Sequence, residues 1–536
     1  MMVGVDWEEK SDETGGTDTE KSGLGSFTGD ITNNGEITSG WYGGIETEGV
    51  DITGNIANNG TINGGDAGII LTGGYEGQDV WQVDESTNTE SGVYSFETKN
   101  ARIQGNITNT REINSYGSGI EVAAIDLDGD LVNTGEITSD SAGIAVLGGE
   151  QGVGTYTETP DGYIGEWSSE TKPSSFNGNI VNDGVITTGW LGGIEVEGTN
   201  VTGNITNDGT INGGDAGIIV AGGLKVQGAA QYDFATETYT SSGSYESKLA
   251  RMQGDITNAG DINSYGTGIE LEAVEMDGNL SNTGNISSTY GIAVTGGYKE
   301  VYAYAKTAGV ITQDEWEEGK GAASSFTGEI NNSGTIAADD TGIYIENTAF
   351  NGTINNTGTI TAGLDGIYID DSVTGNVVIN QKAGAINGGE YAAIRLNKAT
   401  RVNYTGGQIN GLVENDGGTF YVEGNQTING DYEQDANSTL SLGLHTETSL
   451  TANNITLAEG SKVLIDLSKG DLYVQDGETV ELLKTTDGDL VNAGVTYGVT
   501  STLVTVAEAK LNAAGNLELT FDRASFLETA ENLSNT

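Results

Sequence analysis

Gly29-Asp30-Ile31-Thr32-Asn33-Asn34-Gly35-Glu36-Ile37 recurs as Gly54-Asn55-Ile56-Ala57-Asn58-Asn59-Gly60-Thr61-Ile62, and that recurrence decides the fold. The pattern Gly-x-Ile-x-Asn-x-Gly-x-Ile returns at Gly178, Gly203, Gly254, Gly328 and Gly352, and more loosely at Gly105, Gly129 and Gly278. Within a pair, copies lie 24 or 25 residues apart, as from Ile31 to Ile56 and from Ile107 to Leu131. A unit of that size cannot bury its own apolar face, whereas stacked copies bury it continuously. Ile31, Asn33, Gly35 and Ile37 alternate with a period of two, the signature of a strand. The breaks between strands carry Gly, Asn and Asp, which suit tight turns. The reading is all-β: a parallel β-helix with coils of 24–25 residues. Asn33, Asn58, Asn109, Asn133, Asn182, Asn207, Asn258, Asn282, Asn332 and Asn356 share one position in the repeat. Stacked amides there can hydrogen-bond from coil to coil, which is favoured over ligand binding.

A longer period lies over the first. Ile31 to Ile180, Ile56 to Ile205 and Ile107 to Ile256 are each 149 residues, so residues 25–323 hold two copies of a double module. After Gly73-Gly74, Gly148-Gly149, Gly222-Gly223 and Gly296-Gly297 the spacing jumps to 49–51 residues, so an arm leaves the column every second coil. The four arms, about 75–100, 150–174, 224–249 and 298–323, are rich in aromatic residues. Trp81, Tyr94, Tyr156, Tyr163, Trp167, Tyr232, Tyr239, Tyr302, Tyr304 and Trp316 are the candidate binding residues. Solenoid insertions gather on one face, often the binding face. The competing reading is that the rings clamp each arm against the coil wall. Alternation such as Tyr302-Ala303-Tyr304 predicts hairpins, although Asp314-Glu315-Trp316-Glu317-Glu318 could start a short helix. Residues 1–24 resemble the end of another arm, since Val5-Asp6-Trp7-Glu8-Glu9 matches the run around Trp316, so further repeats are expected upstream. Residues 324–415 read as plain coils, and 416–536, where the motif is lost, as a C-terminal cap.

The 536 residues carry a net charge of −57, which argues against nucleic acid as a partner. Cysteine is absent and His445 is the only histidine, so thiolate metal sites, zinc clusters and a Ser-His-Asp triad in the coils are excluded. No apolar run is long enough to span a membrane and none reads as a signal peptide, so the targeting segment of a secreted protein is expected to lie outside this chain. Glu46 and Glu48, Glu195 and Glu197, and Glu270 and Glu272 alternate with apolar residues and read as an outward, solvated face. Asp126, Asp128 and Asp130 put three carboxylates within five residues. They read first as a turn and second as a calcium site. No other cofactor is expected.

The stretch after the repeats resembles a known family. Gly417-Gly418-Thr419-Phe420, Asp431-Tyr432-Glu433-Gln434, Asn454-Ile455-Thr456-Leu457-Ala458-Glu459-Gly460 and Gly477-Glu478-Thr479-Val480-Glu481-Leu482-Leu483 are similar to the pertactin-like autochaperone region that ends the passenger of a Gram-negative autotransporter. The resemblance implies a right-handed β-helix, a cap that assists folding after export, and a cell-surface or extracellular location. It also implies a linker helix, which Ala530-Glu531-Asn532-Leu533 would begin, and an outer-membrane β-barrel that is absent from this chain. The family's usual roles are adhesion, aggregation and biofilm formation. The expected function is therefore a non-enzymatic, adhesive or self-associating secreted scaffold, with partners among its own copies, neighbouring cells, host surfaces or glycans. The alternatives are a subunit of a surface filament or layer and, third, a polysaccharide-active β-helix enzyme using paired carboxylates.

Overall fold

A computed structural model describes residues 2–3, 17–21, 24–445, 448–469 and 473–524. Every regular element among them is a strand. No helix is long and apolar enough to cross a membrane. Two compact units are present: Met1–Gly278 with Ala293–Phe326, and Asn279–Ile292 with Thr327–Thr536. Both contain parallel β-helix coils.

In the first unit a coil is built from four short strands, as in Val50–Thr53, Ile56–Asn58, Thr61–Gly64 and Ala67–Thr72. Each pairs in parallel with its counterpart one coil on. The register sets like on like: Ile56 faces Ile107, then Leu131, Ile180, Ile205 and Ile256. A second column runs Ile62, Ile113, Ile137, Ile186, Ile211 and Ile262, and all six are fully buried. The motif glycine bends the chain between the first two strands. Gly54 has φ of +147°, and a Cβ there would overlap the carbonyl of Gly29 in the coil before it. A side chain at that bend would force the coils apart, because adjacent strands sit only about 4.8 Å from each other.

The asparagine column is the expected ladder. Asn58 Nδ2 donates to Asn109 Oδ1 at 2.8 Å, and Asn109 in turn to Asn133 at 2.8 Å. The chain continues through Asn182, Asn207 and Asn258. These amides are buried, so mutual pairing spares each the cost of an unsatisfied polar group.

The second unit repeats the device with Asn282, Asn332, Asn356 and Gln381. Its coils run further than the loss of the motif at 416 suggested. Phe420 stacks in register with Leu440, Val463 and Tyr497, and Val413 with Tyr432, Ile455 and Leu490. Larger rings take over the interior there, with Phe420 and Tyr432 at 5.3 Å, and this hides the aliphatic motif. The antiparallel closing part is confined to Thr479–Thr485, Val504–Leu511 and Leu517–Arg523. The interior of the region read as cap is thus mostly more coil. The Ala530-Glu531-Asn532-Leu533 linker and the Val5–Glu9 match lie outside the described residues.

The four arms belong to the first unit, and each is a hairpin: Gly74–Asp84 with Thr89–Lys99, Gly149–Thr159 with Gly162–Lys172, Gly223–Asp233 with Thr238–Lys248, and Tyr298–Thr307 with Val310–Lys320. The stretch around Trp316 is strand, so the helical alternative for it is wrong; its Trp316 lies directly across from Tyr302.

Candidate binding surface of the arm sheet

The arms do not stand apart. Thr89–Lys99 pairs with Gly149–Thr159, Gly162–Lys172 with Gly223–Asp233, and Thr238–Lys248 with Tyr298–Thr307, all antiparallel. Thr17–Lys21 adds a further strand against Gly74–Asp84. Among the described residues nine strands form one sheet, ending at Val310–Lys320.

The register decides what this sheet presents. One row across it reads Asp79, Tyr94, Gly154, Trp167, Gly228, Gly243, Tyr302 and Trp316. The row two residues toward the tips reads Trp81, Gly92, Tyr156, Gly165, Ala230, Ser241, Tyr304 and Asp314, and the next includes Tyr163, Tyr232 and Tyr239. Side chains two apart on a strand share a face. All ten aromatic candidates therefore lie on one face. The opposite face has none of them in the same span, carrying instead rows such as Val80, Val93, Thr155, Glu166, Ala229, Ser242, Ala303 and Glu315.

Glycines and rings interleave on the aromatic face for a steric reason. A Cβ at Gly154 would overlap the ring of Tyr94, and one at Gly228 would overlap Trp167. The rings thus lie over bare backbone of the neighbouring strand, a pairing known to compensate glycine's poor fit in sheets. Rings also meet one another: Tyr302 and Trp316 stack at 5.8 Å, Tyr163 and Tyr232 at 5.9 Å, and Tyr239 lies 6.1 Å from Tyr304. Arm is held to arm, where the competing reading had each arm clamped to the coil wall. Three of the ten rings, Tyr94, Tyr163 and Trp316, are exposed, Trp316 most so at 55%, and the other seven are half-buried. Burial and the nearby Glu90 carboxylate push the Tyr156 hydroxyl up to about 12, and it donates to Glu90 at 3.1 Å.

The other face is polar at its base. Lys172 and Lys99 both pair with Glu97 and hold its carboxyl down at about 2. Small residues, among them Val153, Ala229, Ser242, Val301 and Ala303, line a shallow depression of about 690 Å³.

Where the aromatic face meets the coils, the carboxylates behave differently from a solvated row. Glu195 and Glu272 are mostly buried, and desolvation raises each to about 7, with neighbouring carboxylates adding to the effect. Glu197 and Glu270 are raised for the same leading reason. Glu195 Oε2 is buried without a hydrogen-bond partner. The outward direction was legible from the alternation. The burial was not, because the arm residues Glu150 and Tyr298 crowd this face from far away in sequence.

Asp126, Asp128 and Asp130 are not brought together around a common point. Asp126 Oδ1 accepts from Ser175 N and Oγ, Asp128 pairs with Arg102 at 2.5 Å, and Asp130 Oδ1 accepts from Asn179 N and Nδ2. Among the described residues no group of three acidic, His or Cys side chains could hold a metal ion. His445 Nε2 accepts from the backbone of Gly424, a structural contact.

Four aromatic residues escaped the sequence reading: Trp41, Tyr116, Trp190 and Tyr265, all in coil turns. They are the most exposed aromatic side chains among the described residues, at 80, 78, 76 and 85%. The signal that could have found them is the double module, since Trp41 and Trp190, and Tyr116 and Tyr265, are each 149 residues apart. Comparison with known proteins found no matching family model, no matching curated protein and no matching solved structure.

Proposed function

We propose that this chain is a non-enzymatic cell-surface scaffold, adhesive or self-associating, that makes contact through the aromatic face of its arm sheet. The single observation that carries this reading is the gathering of ten tyrosine and tryptophan residues from four separate insertions onto one face, where none is fully buried. Aromatic side chains supply large contact area at low entropic cost and dominate the energetics of protein interfaces. A row repeated across four arms also allows weak contacts to add through avidity. The resemblance of residues 416–530 to an autotransporter passenger supports a surface location and the absence of catalysis.

The test replaces Tyr94, Trp167, Tyr302 and Trp316 together by serine. Sedimentation velocity and cell-adhesion assays are expected to show self-association or adhesion reduced at least about tenfold. Undiminished association and adhesion would remove the arm sheet from the mechanism. The filament reading is favoured by one feature. Val310–Lys320 ends the sheet with an edge that no other described strand covers, so a strand from a neighbouring copy could extend it. Its sign would be ordered polymers of the purified chain.

A further inference from the structure

The exposed turn aromatics form a stripe of their own, apart from the arm sheet. In the first unit each coil turns a corner before entering the strands Ile45–Glu48, Ala67–Thr72, Ser118–Ala123, Ile144–Leu147, Ile194–Glu197, Ala216–Ala221 and Thr267–Glu272. The corners stack by backbone hydrogen bonds. Gly65 N donates to Tyr42 O at 3.0 Å, Tyr116 N to Gly65 O at 3.0 Å, Trp190 N to Asp140 O at 3.0 Å, Asp215 N to Trp190 O at 3.0 Å, and Tyr265 N to Gly214 O at 2.9 Å. Successive corners carry Trp41, Asp66, Tyr116, Asp140, Trp190, Asp215 and Tyr265, ring and carboxylate in alternation, and all seven are exposed.

Two features say what such a stripe would hold. The first is charge. Beside it, on the outward side of the adjoining strands, one register row reads Glu46, Ile70, Glu121, Ala145, Glu195, Ile219, Glu270. The next reads Glu48, Thr72, Ala123, Leu147, Glu197, Ala221, Glu272. Neither row nor the stripe contains Lys or Arg. Asp215 is close enough to raise both Glu195 and Glu270, so stripe and rows share one acidic field. The exposed rings and the exposed carboxylates of Asp66, Asp140 and Asp215 between them attract cations, through the ring face and the charge together, while the mostly buried Glu195 and Glu272, raised to about 7, add less. The second feature is spacing. Rings occur every second coil, about 9.6 Å apart for strands stacked at about 4.8 Å. A polyproline II chain repeats every three residues at about 3.1 Å each, or about 9.3 Å. A basic residue at every third position would therefore set one cation on each ring.

We propose that this stripe binds an extended basic segment in polyproline II conformation, carrying Lys or Arg at every third position and supplied by another protein. A second copy of this chain is a poor source, because it has only 2 Pro and 21 Lys and Arg in 536 residues. The aromatic stripe also suits proline rings, which dock on aromatic-lined surfaces in a pre-extended form. The proposal uses a surface separate from the arm sheet and stands or falls independently of the function proposed above.

The test titrates the whole chain with a synthetic peptide of repeated Lys-Pro-Pro triplets and follows binding by calorimetry. The same composition arranged as a lysine block followed by a proline block is the spacing control. A peptide of Gln-Pro-Pro triplets is the charge control, and a chito-oligosaccharide is the glycan control. A quadruple variant, Trp41→Ser, Tyr116→Ser, Trp190→Ser and Tyr265→Ser, keeps the net charge, and its exposed positions leave the core untouched. Circular dichroism checks that it is folded. The expected result is that the triplet peptide binds roughly tenfold more tightly than either peptide control, and loses at least about tenfold in affinity for the variant. Equal binding to variant and parent would show general attraction to an acidic protein and overturn the proposal. So would equal binding of the blocked or uncharged peptide, or saccharide binding that depends on the four rings while peptide binding does not.

Discussion

At the scale of single residues, Glu195 shows how the arms change the chemistry of the coils. Its alternation with Ile194 and Val196 turns it outward, as the sequence says, yet its carboxylate is mostly removed from water and crowded by Glu197, Glu121 and Asp215. Burial raises it from 4.5 to about 7. A carboxyl group that is harder to ionise in the folded chain binds a proton there that the unfolded chain has released. Its effect on stability is therefore absent below about pH 4.5 and grows more unfavourable as pH rises to about 7, then stays constant. Glu195→Gln keeps the shape and removes the charge. It is expected to stabilise the fold at about pH 8, by an amount on the order of 1 kcal/mol after screening by partial exposure, so that the thermal midpoint rises there and stays unchanged near pH 4. Calorimetric melts of parent and variant at the two pH values check this. A gain that is the same at both would assign the effect to packing. The asparagine ladder makes the contrasting case. Asn109, wholly buried, has its Nδ2 on Asn133 and receives Asn58 on its Oδ1, so it needs no charge to be at home.

At the scale of elements, the arm sheet has one interior and one terminal hairpin strand that make a fair comparison. Thr238–Lys248 is paired on both sides, by Gly223–Asp233 and Tyr298–Thr307, whereas among the described residues Val310–Lys320 is paired on one side only and every one of its side chains is exposed. A strand with fewer ladder bonds and less burial opens at lower free energy. Hydrogen exchange followed by mass spectrometry is expected to show peptides from 310–320 exchanging at least about tenfold faster than those from 238–248. Equal protection would mean that another chain covers that edge in solution. The coils were legible in the sequence because a stacked repeat writes the same residue at the same place, as with Ile56, Ile107 and Leu131. The arms were legible as hairpins from the jump in spacing and from Tyr302-Ala303-Tyr304. Their union into one sheet was not, because it depends on the register between strands such as Thr89–Lys99 and Gly149–Thr159, which no local pattern specifies. The single aromatic face follows from that union. The turn stripe was missed for a different reason: one ring per corner gives no local run, and only comparison across the 149-residue module exposes it.

At the scale of the whole molecule, the charge of −57 bears on both proposed surfaces, with opposite signs. Two copies that meet through their aromatic faces must bring like charges together, so added salt removes an obstacle while leaving the contact between rings in place. A basic segment on the turn stripe is drawn in by the same charge, and added salt weakens it. The Debye length falls from about 30 Å at 0.01 M ionic strength to about 8 Å at 0.15 M. Sedimentation velocity across that range is expected to show larger species gaining ground as salt rises. Titration with the Lys-Pro-Pro peptide over the same range is expected to show affinity falling by about tenfold or more. The pairing of the two trends carries the information. Association that weakens with salt would point to ion pairs between copies, through the Lys and Glu rows of the opposite face of the arm sheet, and would move the contact away from the rings. Peptide binding that ignores salt would leave the rings of the stripe to act alone, and the carboxylates between them would have no part in recognition.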